Sequence, residues 1–88
     1  MSEPYQVAVT SRAARDLDRL PDKIATACVE FIFGPLADNP QRLGKPLRAE
    51  LDGSYSARRG DYRVVYAIKE DPYVIEIEHI GRRSDVYR

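Results

Sequence analysis

The sequence predicts an α+β domain in the order β-α-α-β-β-β: an N-terminal strand, a helical hairpin and a three-stranded antiparallel meander, with the helices on one face of the sheet. Three observations predict it. The chain opens on a short alternating run, two amphipathic stretches follow, and three strand-like runs fill the second half. At 88 residues it reads as one domain spanning residues 1–88, near the lower end of what can bury a core without staples. An apolar share of 43% beside 32% charged residues fits a packed domain rather than a disordered one.

Taken in order, Tyr5, Val7 and Val9 alternate with Gln6 and Ala8, the period of a half-buried strand. Thr10 or Ser11 can cap a helix that places Ala13, Ala14, Leu17 and Leu20 on one face and turns Arg12, Arg15, Asp16 and Arg19 outward. Pro21 stops it and opens the next helix. There Ile24, Ala25, Ala27, Cys28, Val29, Phe31 and Ile32 form a broad apolar stripe, ended or kinked at Gly34-Pro35. Residues Ala37 to Pro46 carry the turn chemistry of a loop. Leu47 to Arg58, Tyr62 to Lys69 and Tyr73 to Gly81 then read as strands, with Arg59-Gly60-Asp61 and Glu70-Asp71-Pro72 short enough to close hairpins.

Several function classes are excluded early. One cysteine, Cys28, allows no intrachain disulfide and no cysteine-based metal centre, and its apolar neighbours make it a small core side chain. No segment approaches the roughly 20 apolar residues that span a bilayer, and the N-terminus has no secretory pattern, so the expected location is the cytoplasm. Fourteen Lys plus Arg balance fourteen Asp plus Glu, which argues against diffuse binding to long nucleic acid. The basic residues instead gather in two places, Arg58-Arg59-Arg63 and Arg82-Arg83-Arg88, a pattern that suits one local anionic site.

The stretch SARRGDYRVVY carries the sharper signal. Alternation puts Tyr62, Val64, Tyr66 and Ile68 on one face and Arg63 on the other, and a hairpin at Gly60 brings Arg58 beside Arg63. Like charges side by side on a sheet are destabilising, so stability alone does not explain them. A phosphate between the guanidinium groups does, because their planar donors match its oxygens. Tyr87, flanked by Arg83 and Arg88, repeats the tyrosine-plus-arginine combination that stacks on a base and holds its phosphate. His79 is the only imidazole, which excludes a two-histidine ribonuclease and argues against a metal site. RNA cleavage by its own 2′-hydroxyl remains open, with Tyr87 as candidate proton acceptor and His79 as second candidate for proton transfer. On strict alternation His79 shares a face with Ile75 and Ile77, where a histidine also reads as structural.

These residues form a larger pattern: RDLDRLP in the helical hairpin, GKPL, YSARRGDYRVVY, and the ending HIGRRSDVYR. Over nearly the whole chain this resembles the RelE branch of the RelE/ParE superfamily of bacterial toxin–antitoxin toxins. The resemblance implies a microbial RNase-like fold and metal-independent cleavage of messenger RNA in the ribosomal A site, leaving a cyclic phosphate and inhibiting translation. It further implies no cofactor, a cognate antitoxin that silences the toxin, and operator DNA bound only through the toxin–antitoxin complex. Arg63 is implied to hold the scissile phosphate, Arg83 to assist the leaving group or the transition-state charge, and Tyr87 to act as general base. Two strand lysines of better-known members fall on Ser56 and Arg58, leaving Arg59, Arg82 or Lys45 to supply the missing charge.

Two other readings stay open. A ParE-like toxin shares the fold but poisons DNA gyrase without nuclease activity. A degraded member would keep only a binding role, which the serine at position 56 hints at. Arg12, Arg15 and Arg19 on one helix face, with the basic pocket, suit an acidic partner segment that folds on binding.

Overall fold

The structure, a computed structural model, describes residues 4–47, 53–70 and 72–82. Its elements are β1 (Gln6–Val9), α1 (Ser11–Asp18), α2 (Asp22–Phe31), α3 (Pro40–Leu43), β2 (Gly44–Pro46), β3 (Ser54–Arg59), β4 (Tyr62–Glu70) and β5 (Tyr73–Arg82). The strands form a five-stranded sheet in the order β1-β5-β4-β3-β2. β1 runs parallel to β5, and every other pair is antiparallel. The α+β class and the three-stranded meander of the second half are therefore present.

Thr10 fastens the first helix to the sheet. Its hydroxyl accepts from the Ala13 N–H at 3.2 Å, which caps α1, and donates to the Ile77 carbonyl at 2.7 Å. One side chain thus starts a helix and fixes where it lies on β5. Inward residues of α1, α2 and the following turn, among them Ala13, Cys28, Ile32 and Leu36, meet Val64, Tyr66, Ile75, Ile77 and Ile80 of the sheet. Each large side chain so buried contributes roughly 1.5–3 kcal/mol relative to exposure.

Three expectations need correction. The second helix does not end at Gly34-Pro35; it widens into a π turn over Ile32–Leu36. Proline lacks an N–H and crowds the carbonyl four residues back, and a wider turn relieves both constraints without breaking the rod. The segment Ala37 to Pro46 is not all loop, because Pro40 opens the single-turn α3 and Gly44–Pro46 pairs with β3 as an edge strand. The sheet consequently has five strands rather than four. Finally, β5 does not alternate strictly. Tyr66 pairs with Ile77 and Val65 with His79, so Glu78 is an extra residue and a bulge shifts the register there.

Tyr66 and Gly44 require one another. The ring of Tyr66 is fully buried, stacks on Tyr55 with centroids 5.8 Å apart, and donates its hydroxyl to the Pro40 carbonyl. A Cβ on Gly44 would overlap that hydroxyl and lie 2.9 Å from ring carbon Cζ. Gly44→Ala is expected to destabilise by about 1–3 kcal/mol, read as a lower urea midpoint. The double variant Gly44→Ala/Tyr66→Phe is expected to lose less than the sum of the two single changes.

Burial, reinforced by Tyr55, pushes the Tyr66 phenol above its ordinary value, and burial also raises the Cys28 thiol against the opposing pull of Arg59. Both groups are raised in the folded state, so their contribution is complete below the unfolded values and is lost as pH climbs past them. Stability is expected to fall above pH roughly 9–10, and Tyr66→Phe to flatten the upper part of that decline in denaturant titrations at successive pH values.

Candidate functional site

The sheet face turned away from the helices carries two cross-strand rows. Register aligns Lys45, Ser56, Val65 and His79 in one, and Arg58, Arg63 and Gly81 in the next. Arg58 and Arg63 are direct partners, as the hairpin predicted, and the positive φ of Gly60 (61°) closes the turn between their strands. Arg58 Nε donates to the Gly60 carbonyl at 3.1 Å, which draws its guanidinium toward the turn. Arg63 is half-buried with its Nε atom covered, while Gly81 beside it contributes no side chain. The result is a cationic position between two strands with a glycine beside it, a setting suited to an oxyanion.

Part of this face is covered: Val65, Ser56 and Ser54 are 6%, 5% and 8% exposed. Ser54 Oγ donates to Glu78 Oε1 at 2.8 Å, which ties up the bulge residue's carboxylate. The bulge also overturns the expected placement of His79. Ile80 takes the inward position, and His79 stands opposite Val65 on the face of Arg63 rather than with Ile75 and Ile77. Its Nδ1 lies 2.7 Å from Asp16 Oδ2. The same oxygen accepts the Ile80 N–H at 3.0 Å.

Not every predicted residue reaches this face. Arg59 and Arg82 both pair with Tyr62, whose ring belongs to the helix side, so they flank that ring instead of Arg63. Arg59 lines a small hollow of about 180 Å³ with Ala27, Glu30, Phe31 and Pro35. Lys45 is exposed on the short edge strand, in the row of Ser56. Arg83 and Tyr87 lie outside the described residues. Sequence reasoning missed Asp16, since helical periodicity groups it with Arg12, Arg15 and Arg19; only the pairing of α1 with β5 reveals it. Among the described residues no group of three or more His, Cys, Asp or Glu could hold a metal ion.

Residues 7–87 match the model of a family described as the ParE toxin of the type II toxin–antitoxin system parDE. The chain belongs to the RelE/ParE superfamily of type II toxins. Within it the similarity runs to RelE. The chain is 68% identical over 85 residues to Toxin RelE of Mycobacterium tuberculosis, covering 97% of this chain and 88% of that protein. It is 49% identical to Toxin RelG of the same organism, covering 97% and 98%. The crystal structure of the toxin–antitoxin complex RelBE2 from M. tuberculosis superposes with a TM-score of 0.90 at 47% identity, over 97% of this chain and 98% of that one. The described sheet and helices are therefore those of a RelE toxin, and the Arg58–Arg63 pair sits on a RelE scaffold.

Arg58 and Arg63 are direct cross-strand partners, and salt screens the repulsion between like charges so placed. Raising NaCl from low to moderate concentration is expected to increase the denaturant midpoint of the wild type more than that of Arg58→Ser.

Proposed function

We propose that this RelE-branch protein is the toxin of a type II toxin–antitoxin system and a metal-independent, ribosome-dependent endoribonuclease that cuts messenger RNA in the A site. The observation that carries this reading is the Arg58–Arg63 pair on the face away from the helices, next to the side-chain-free Gly81. Two arginines paired across neighbouring strands are suited to a phosphate whose charge grows during the reaction. In this reading Arg63 holds the scissile phosphate, Arg83 stabilises the transition-state charge, and Tyr87 accepts the 2′-hydroxyl proton. Arg58 and Lys45 contact the RNA from the neighbouring strands. Arg59 and Arg82 lie beside Tyr62 on the other face and are left out of this pocket.

Overall neutrality fits such an enzyme. A ribosome positions the message, so a charged pocket suffices where a charged surface would otherwise be needed, and free RNA is a poor substrate. The protein acts in the cytoplasm, where translation runs. A cognate antitoxin silences it, by analogy with the relative solved as a toxin–antitoxin complex, and the complex is the form that binds operator DNA.

The test is inducible expression of wild type and of the double variant Arg83→Ala/Tyr87→Phe, with transcript 5′ ends mapped while translation is running. Codon-phased cuts in translated messages are expected from the wild type, reduced by about 100-fold or more in the double variant. The family model's description names ParE, which keeps a second reading in play, in which the protein poisons DNA gyrase. Growth arrest with loss of supercoiling and uncut messages would establish that reading and sink the nuclease.

A further inference from the structure

Nothing in the RNA reading uses Asp16, yet its Oδ2 atom makes two bonds to β5. It accepts the Ile80 N–H at 3.0 Å and, at 2.7 Å, the Nδ1 of His79. The first bond serves the sheet: β1 pairs with β5 only as far as Ile77, so the next edge donor needs another partner. Any polar group or water could meet that need. The second bond is more particular, because it joins an α1 carboxylate to a histidine that the bulge sets in register on the Arg63 face.

Three features make the pair suited to proton transfer. The side chains are 18% and 14% exposed, so the imidazole is held in an enclosed setting. With Nδ1–H committed to the carboxylate, proton exchange passes through Nε2, the division of labour that a buried aspartate imposes on a catalytic histidine. His79 is also the diagonal neighbour of Arg63 across β4 and β5, two positions along β5 from its direct partner Gly81, and such neighbours are within reach of long side chains.

We propose that Asp16 and His79 are the proton-donating half of the site, with His79 protonating the 5′-oxygen as it leaves and Asp16 acting as the positioning residue. This assignment rests on the RNA-cleavage reading. The 2′-oxygen bonds to phosphorus while its own proton passes to a separate acceptor. The bond from phosphorus to the 5′-oxygen breaks, its electron pair stays on that oxygen, and the Nε2 proton of the imidazolium goes there. The products are a cyclic phosphate, a 5′-hydroxyl and a neutral imidazole still bonded to Asp16. Among the described residues the other charged groups on the face are Arg63 and Lys69 on β4, Arg58 on β3, Lys45 on β2, and Glu76 and Glu78 on β5.

The experiment uses ribosomes programmed with an mRNA whose scissile 5′-oxygen is replaced by sulfur, because a thiolate departs without needing a proton. His79→Gln and Asp16→Asn are each expected to slow cleavage of ordinary mRNA about 100-fold and to cut the sulfur message at the wild-type rate. The carboxamide of Asp16→Asn can still accept from Ile80 N–H but offers an N–H to the ring, which reverses the tautomer. The wild type supplies an arm independent of variant folding: the ratio of its rate on the sulfur message to its rate on ordinary mRNA is expected to rise with pH, because only the ordinary message needs the donated proton. Variants that remain slow on the sulfur message, or wild-type pH profiles that coincide for the two messages, would overturn the proton-donor role and leave the nuclease reading standing. A wild type that cuts neither message on the ribosome would overturn both.

Discussion

A single extra residue in β5 decides what each face of the sheet can do. Before Glu78 the strand sends Ile75 and Ile77 toward the helices; after it, Ile80 takes over that duty although three positions separate it from Ile77. Without the bulge the last turn of the core would lose an isoleucine or gain a histidine. With it, the core stays apolar from end to end and His79 is delivered to the cationic face. Bulges re-aim side chains in this way at the cost of one unpaired residue in the ladder. Here the serine at position 54 bonds that residue's carboxylate, and Asp16 takes the backbone donor just beyond it.

The helices are fixed to the sheet by polar bonds placed where the ladder runs out. Thr10 and Asp16 sit on the same short helix region and bond successive parts of β5, at Ile77 and at His79-Ile80. Apolar packing sets how closely α1 approaches the sheet but is tolerant of sliding. Directional bonds to particular β5 groups remove that freedom, and so fix the position of Asp16 relative to the imidazole.

Much of this was legible in the residues, and the failures share a cause. Alternation along YRVVY correctly set Arg63 opposite Tyr62, Val64 and Tyr66, because a central strand buried against helices cannot slip by one without exposing its core set. The same reasoning placed Arg58 beside Arg63. It failed at His79, because one inserted residue reverses parity and leaves no local mark in a run such as IEIEHIG. Grouping Arg59 with Arg58 by proximity in sequence ignored that neighbours on a strand point to opposite faces. The short edge strand Gly44–Pro46 escaped notice because three residues carry no period. Its glycine becomes intelligible only once the Tyr66 hydroxyl, far away in sequence, is seen to occupy the space a side chain would fill.

The outermost strands of the sheet are also its shortest. β1 has four residues and β2 three, the latter carrying a lysine and a proline, whereas the long strands β4 and β5 lie inside. Exposed long strands invite other chains to add to the ladder, and charge, proline and brevity at the margin discourage it. Among the described residues, the sheet thus ends on both sides in strands too short to template another chain. A protein built this way can pass through periods without its binding partner and remain resistant to fibril-like self-assembly.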